Sequence, residues 1–144
     1  MKMNLIWSED VSAQLARISD LDTIAPEMLT AAAPIATDAL KQRVGEHKSN
    51  RADKHLVNSI KAGKPKKRKK GGGYGLDVSF SGYDSGHGSS PGHKDKVAQM
   101  QKAVALEYGT ATQPAQPFQD RAASDCQRAV SAAMEDVLRK RGKL

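Results

Sequence analysis

The sequence predicts an α+β fold in which a small antiparallel sheet with a long basic-tipped hairpin packs against N-terminal helices and a long C-terminal helix. Two patterns support this class. Apolar residues recur at helical spacing within residues 8–45 and 117–141, and they alternate with polar residues from 74 to 82, as in a half-buried strand. With 144 residues but only one Trp, three Tyr and two Phe, the chain is expected to form a single domain with a thin core, which favours self-association.

The N-terminal region, residues 8–45, is predicted to be helical in two parts. Ser8 followed by two acids is typical of a helix start, and a second pattern begins with Thr23 as its capping residue and ends at Gly45. Pro34 falls inside this second pattern. We expect a kink or a break there, because an interior proline lacks an N–H and clashes with the preceding turn. The many alanines favour close helix packing.

The rest of the chain is predicted to begin with a strand pair over residues 56–82, with a mobile tip at 63–73. Residues 56–62 fit either a helix end or the first strand. The Gly- and Ser-rich residues 83–96 are predicted to be a flexible loop. Two helices follow, over residues 97–109 and 117–141. The residues expected close to one face of the last helix are Phe118, Ala122, Ala129, Ala133 and Val137.

The formal net charge of +7 is concentrated in the middle of the chain. Residues 1–63 carry eight basic and eight acidic side chains, whereas residues 64–96 carry eight basic and three acidic ones. The basic tract consists of Lys64, Lys66, Lys67, Arg68, Lys69 and Lys70. This tract could contact a phosphate backbone or an acidic protein surface. Alternatively, it could serve only as a solvated tip that keeps the hairpin soluble. Any DNA contact is expected to be independent of sequence, because nothing resembles a recognition helix.

No residue pattern points to catalysis, a metal or a cofactor. His87 and His93 lie in the Gly/Ser-rich segment without a neighbouring cysteine or acidic cluster, so a solvated loop is favoured over a metal site. Cys126, the single cysteine, is expected to be a buried structural thiol, and it fits a reducing compartment. No apolar run approaches the roughly 20 residues that span a bilayer, and the N-terminus lacks the apolar core of a signal peptide. We therefore expect a non-enzymatic protein that does not bind membranes.

The phrase LEYGTATQPAQPF at residues 106–118 resembles the signature of the head-to-tail joining, or tail-completion, proteins of long-tailed bacteriophages, also described as tail components. In that family an apolar residue, Glu, an aromatic residue, Gly and Thr precede a Pro-containing turn, an Ala-basic-Pro-Phe step and a long helix. The matching residues are Leu106, Glu107, Tyr108, Gly109, Thr110, Pro114, Ala115, Pro117 and Phe118. Two positions depart from the pattern: Gln116 replaces the basic residue, and Arg121 stands where a proline is common. The order of the elements extends the resemblance to most of residues 10–138.

The resemblance implies a structural protein of the virion neck, made in the cytoplasm of the bacterial host. It implies a homo-oligomeric, sixfold ring that joins the DNA-filled head to the tail. The implied neighbours are the head connector or adaptor and the tail terminator or tail tube. In such a ring the basic tract would either line the passage of the genome or grip an acidic neighbouring ring.

Within the motif, the residue types themselves predict local roles. Gly109 is expected to end a helix at positive φ, Thr110 and Pro114 to set the turn, and Phe118 to fill the core. Glu107 beside Tyr108 is expected to clamp either the backbone of its own chain or a neighbouring subunit.

Two alternatives of other classes accompany this expectation. The first is a free nucleic-acid-binding protein that acts through residues 64–70 without sequence specificity. The second is a small hydrolase, which would need acids and bases converging in a pocket, with His87, His93 and Cys126 as the residues to test.

Overall fold

A computed structural model describes residues 2–5, 21–45, 56–84 and 97–141. The elements in chain order are β1 (Met3–Leu5), α1 (Leu21–Gly45), β2 (Ile60–Ala62), β3 (Lys66–Lys67), β4 (Tyr74–Phe80), β5 (Tyr83–Asp84), β6 (Val97–Ala98), α2 (Gln99–Tyr108) and α3 (Gln119–Lys140). The α+β class is confirmed, with a small antiparallel sheet, a long helix between β1 and β2, and a long helix at the C-terminal end of the described residues. The predicted helix that starts near Ser8 lies outside the described residues.

The central strand of the four-stranded sheet is β4. It pairs antiparallel with β1, where Asn4 lies opposite Asp77, and with both β2 and β3. Because side chains alternate along a strand, β4 has two different faces. Its core face carries the buried Leu76, Val78 and Phe80. Its outer face carries the half-buried Gly75, Asp77 and Ser79.

The ambiguous segment 56–62 contains both of the structures that its sequence predicted. Residues 56–58 form a helical turn, and Ile60–Ala62 forms β2. Leu56 and Ile60 are both buried, so the change from helical to strand spacing occurs without losing an apolar contact with the core.

Helix α1 differs from its prediction in two respects. It begins at Leu21, so Thr23 lies in its first turn and is not its capping residue, and it runs without a break through Pro26 and Pro34. Pro34 lies on the exposed side of the helix, whereas Ala33 beside it is buried. The ring therefore projects into solvent, and packing of the opposite face outweighs the lost ladder bond.

Helices α1 and α3 pack antiparallel over their length. Arg43, near the end of α1, pairs with Asp125 near the start of α3, and Glu27 pairs with Arg141 at the other end. Arg43 holds the pKa of the Asp125 carboxyl below its ordinary value. The ion pair between Arg43 and Asp125 therefore stabilises the fold at neutral pH, and this stabilisation is lost as the pH falls through the lowered pKa of Asp125.

The two helices bury residues at four-residue spacing. These are Met28, Ala32, Ala36, Leu40 and Val44 in α1, and Ala122, Cys126, Val130, Met134 and Leu138 in α3. The face predicted for α3 is wrong in part, since Ala129 is exposed and Ala133 and Val137 are only half-buried. The buried stripe lies one position further along because the larger Val130, Met134 and Leu138 remove more apolar surface from water than the alanines would.

The segment after β4 also differs from its prediction. Gly82 has a φ of 87° and accepts a hydrogen bond from the Gln99 N–H at 3.0 Å. Tyr83 and Asp84, predicted to begin a flexible loop, instead pair with Ala98 and Val97 as strands β5 and β6. Residues 85–96 lie outside the described residues. No helix in the described part of the chain is long and apolar enough to cross a bilayer.

Close packing between α1 and α3 leads to a prediction at Ala36, which is fully buried. We expect Ala36→Leu to lower the free energy of unfolding by about 1–3 kcal/mol, because added methylenes in a packed core force side chains and backbone apart. Ala31→Leu, on the exposed side of the same helix, is the matched control. Urea denaturation of the two variants measures the difference, and equal stabilities would contradict the close packing.

Candidate functional site

The motif at residues 106–118 folds into a turn that is held by Glu107. The carboxylate Oε2 of Glu107 accepts hydrogen bonds from the backbone N–H groups of Phe118 at 2.8 Å and Gln119 at 3.2 Å. These groups lie at the start of α3, where Phe118 itself supplies no side-chain cap. A carboxylate there satisfies unpaired N–H groups and interacts favourably with the helix dipole. The sequence predicts that Glu107 contacts either the backbone of its own chain or a neighbouring subunit, and the structure shows the contact with its own backbone.

The backbone of the turn follows the predictions made for Gly109 and Thr110. Gly109 has a φ of 78°, and an added Cβ would lie 2.7 Å from the Ala115 nitrogen. Thr110 Oγ1 accepts a hydrogen bond from the Gln113 N–H at 3.1 Å, and the Gln116 N–H donates to the Leu106 carbonyl at 2.8 Å. The motif thus reverses the chain between α2 and α3.

Phe118 connects this turn to the sheet. Its side chain is 1% exposed, and its ring meets that of Phe80 edge to face, with the centroids 5.9 Å apart. The predicted core role of Phe118 is confirmed. Leu106 is also buried.

Four other motif residues present their side chains to solvent. Tyr108 is 70% exposed and follows the buried Glu107 directly. Pro114, Ala115 and Pro117 are exposed as well. Tyr108 is therefore available for contact with another molecule.

The basic tract forms the end of the β2–β4 arm. Lys66 lies opposite Gly75 and Lys67 opposite Tyr74 in the β3–β4 ladder, and the Arg68 N–H closes the tip by donating to the Gly73 carbonyl at 3.0 Å. The predicted basic-tipped hairpin is confirmed, while its predicted mobility stays a prediction. All six basic side chains are exposed: Lys64, Lys66, Lys67, Arg68, Lys69 and Lys70.

The core face of the arm is fixed to α1 by Asp22. Its carboxylate Oδ1 accepts a hydrogen bond from the Tyr74 hydroxyl at 2.7 Å and lies 3.8 Å from Lys67 Nζ. The hydrogen bond to Asp22 raises the pKa of Tyr74 above its ordinary value. Tyr74 therefore lies on the core face of β4, not on its outer face.

A groove of about 360 Å³ lies along the outer face of the sheet. Its lining consists of Lys2, Asn4, Gly63, Lys64, Lys66, Lys67, Arg68, Gly75, Asp77 and Ser79. Four of these side chains, those of Lys2, Asn4, Asp77 and Ser79, belong to no site that the sequence predicted. The alternation along β4 places Asp77 and Ser79 on one face, but the pairing of β1 that brings in Lys2 and Asn4 has no local signal.

The residues singled out for a possible metal or catalytic role lie partly outside the described chain. His87 and His93 lie outside the described residues, and no group of three or more metal-ligating side chains occurs within them. Cys126 is buried as expected, and burial raises the pKa of its thiol. A raised pKa disfavours the reactive thiolate.

Comparison of the chain with protein-family models, with curated proteins and with solved structures finds no match.

The clamp formed by Glu107 makes a stability prediction. Glu107→Ala removes the carboxylate that accepts from the Phe118 and Gln119 N–H groups, so we expect the free energy of unfolding to fall by about 1–3 kcal/mol. Glu107→Gln loses the charge and replaces one oxygen with an NH2 group but keeps one oxygen acceptor, and it should cost less. Urea denaturation of both variants provides the comparison. If Glu107→Ala unfolds at the wild-type urea concentration, the clamp does not stabilise α3.

The contact between Tyr74 and Asp22 makes a pH prediction. Because the folded chain raises the pKa of Tyr74, the contact stabilises the fold fully below the ordinary value of 10.0 and is lost as the pH rises through the raised pKa. We expect Asp22→Asn to lower that pKa in an absorbance titration of the phenolate. Tyr74→Phe identifies which titration belongs to this residue, and a titration unaffected by Asp22→Asn would contradict the contact.

Proposed function

We propose that this protein is a non-enzymatic structural component of the neck of a long-tailed bacteriophage, where it forms a ring that joins the DNA-filled head to the tail. The proposal combines the resemblance of residues 106–118 to the head-to-tail joining proteins with one structural observation. That observation is the exposure of Tyr108 in a motif whose Leu106, Glu107 and Phe118 side chains are buried.

The local fold accounts for most of the motif without accounting for Tyr108. Glu107 caps α3, Gly109 permits the turn, and Phe118 fills the core. The Tyr108 side chain is exposed and packs on no part of the core of the described residues, so the fold does not call for an aromatic side chain there. An exposed tyrosine is well suited to a protein interface, because it buries a large area at a small entropic cost.

Tyr108 also has an apolar neighbour on the same side of α2. Val104 lies four residues earlier, which places it on the same helix face, and it is 37% exposed. The two side chains form a small exposed apolar surface, called here the α2 surface. In a ring of identical subunits such a surface would contact a different part of the next subunit, and the contact would repeat until the ring closes.

The proposed partners follow from the proposed position. The ring is a homo-oligomer, taken as hexameric from the resemblance, with the head connector or adaptor on one side and the tail terminator or tail tube on the other. The protein would be made in the cytoplasm of the bacterial host and would end in the virion.

Deleting the gene in the phage or prophage that carries it tests this proposal. We expect the lysate to contain separate DNA-filled heads and finished tails by electron microscopy, and complementation to restore joined virions. Joined virions in the deletion lysate would refute the neck role. The alternative of a free nucleic-acid-binding protein would then stand first, since the basic groove favours it independently.

The α2 surface gives a sharper test in the same complementation experiment. We expect the double variant Val104→Ser and Tyr108→Ser to fold with wild-type stability but to reduce the yield of infectious virions at least tenfold, because removing interface anchors costs more than about 1 kcal/mol each. The matched control is Tyr83→Ser, which changes a tyrosine that is 69% exposed elsewhere. Full complementation by the double variant would exclude the α2 surface from assembly.

A further inference from the structure

The groove on the outer face of the sheet brings together basic residues that are distant in the sequence. Lys2 precedes β1, whereas Lys64, Lys66 and Arg68 belong to the hairpin arm on the other side of β4. The floor between them carries no side chain at Gly75, where an added Cβ would be in ordinary van der Waals contact, 3.7 Å from Arg68 Cγ and 3.8 Å from Asn4 Nδ2. The sheet thus carries cations on both sides of a shallow channel.

The charge of the groove is strongly unbalanced. Five basic side chains of the described residues line it, against the single carboxylate of Asp77. That carboxylate accepts a hydrogen bond from Asn4 Nδ2 at 2.6 Å, so it is held within the sheet. Lys67, one of the five, has its ammonium group near Asp22, which leaves four cations to face an anion in the groove.

The rest of the lining indicates which of two anionic partners, a phosphate backbone or an acidic protein surface, the groove suits better. Among the described residues this part of the lining consists of two glycines, Asn4 and Ser79, with no apolar or aromatic side chain. A protein partner gains most of its affinity from apolar and aromatic anchors in desolvated pockets, which this groove does not offer. A phosphodiester backbone needs only cations and hydrogen-bond donors, and its interfaces are polar and hydrated.

The same lining also favours a duplex over a single strand. Single strands are held by aromatic side chains on which the bases stack. Tyr74, the first residue of β4, is the one aromatic residue next to the basic tract, and it lies on the core face, where it donates a hydrogen bond to Asp22. A duplex presents its phosphates outward and needs no stacking partner.

We propose that this groove binds the sugar-phosphate backbone of duplex DNA, independently of base sequence, through Lys2, Lys64, Lys66 and Arg68. The inference does not rest on the neck role, because it concerns the sheet and not the α2 surface. Either one can fail while the other stands.

Two double variants of the full-length protein test the proposal with a matched control. Lys66→Ser with Arg68→Ser removes two cations that line the groove, whereas Lys69→Ser with Lys70→Ser removes two cations of the same tract that do not. Binding is measured by fluorescence anisotropy with a labelled 20-base-pair DNA duplex over a series of NaCl concentrations, after circular dichroism has confirmed that each variant is folded.

We expect the groove variant to raise Kd roughly tenfold and to reduce the slope of log K against log salt by about 2, as the loss of two phosphate contacts requires. The control variant should change Kd less than about threefold and leave the slope near the wild-type value. Equal effects of the two variants would overturn the groove assignment. Absence of wild-type binding at low salt, or tighter binding of a single strand than of the duplex, would overturn the proposal itself.

Asp77→Asn provides a test in the opposite direction. It keeps an oxygen that can accept from Asn4 but removes the one carboxylate of the lining, so binding of the duplex should become tighter. Unchanged or weaker binding would place the DNA elsewhere. Polyglutamate serves as competitor in the same assay, and displacement of the duplex at equal charge concentration would indicate an acidic protein partner and contradict the proposal.

Discussion

The hydrogen bonds that Glu107 accepts at the start of α3 are the constraint on which the rest of the structure depends. They fix where the long helix begins and in which direction it leaves the turn. A helix start that lacks a side-chain cap of its own would otherwise present unpaired N–H groups to the core. Because one of these bonds holds the backbone of Phe118, it also fixes the position of the Phe118 ring, which packs against Phe80 in the core.

From that point the packing of α3 on α1 organises the core. Both helices bury residues four apart, and the ion pairs at each end of the antiparallel pair fix their relative position along the axis. Alanines at 32, 36 and 122 allow the two backbones to approach closely. Helix α1 in turn covers the core face of β4, so the sheet has one buried and one outer face.

The parts of the fold that could be predicted are those with a local pattern. The alternation along β4, the positive φ of Gly109 and the burial of Phe118 all follow from residue types at short spacing. The break expected at Pro34 did not occur, because a proline on the exposed side of a packed helix costs less than the loss of its buried face. Tertiary packing there overrode a local rule.

The parts that could not be predicted depend on pairing over long distances. Strand β1 has three residues, and nothing in Met3–Leu5 indicates that it adds to a strand more than seventy residues later. The basic tract was evident from the sequence, but the groove was not, because Lys2 and Asn4 reach it only through β1. Composition locates the charge, whereas topology decides which cations share a surface.

Gln119 connects the motif turn to this groove. Its backbone N–H is held by Glu107, and its side-chain Nε2 donates to the Lys2 carbonyl at 2.8 Å. The capping carboxylate therefore determines where α3 starts and, through one further hydrogen bond, helps to fix the start of β1 and the position from which the Lys2 side chain enters the groove. The side chains proposed to contact a neighbouring subunit or DNA are exposed and make none of these hydrogen bonds. The α2 surface and the groove can therefore be altered separately. Glu107, by contrast, is connected to both, since it lies in the last turn of α2 and holds the residue that contacts Lys2.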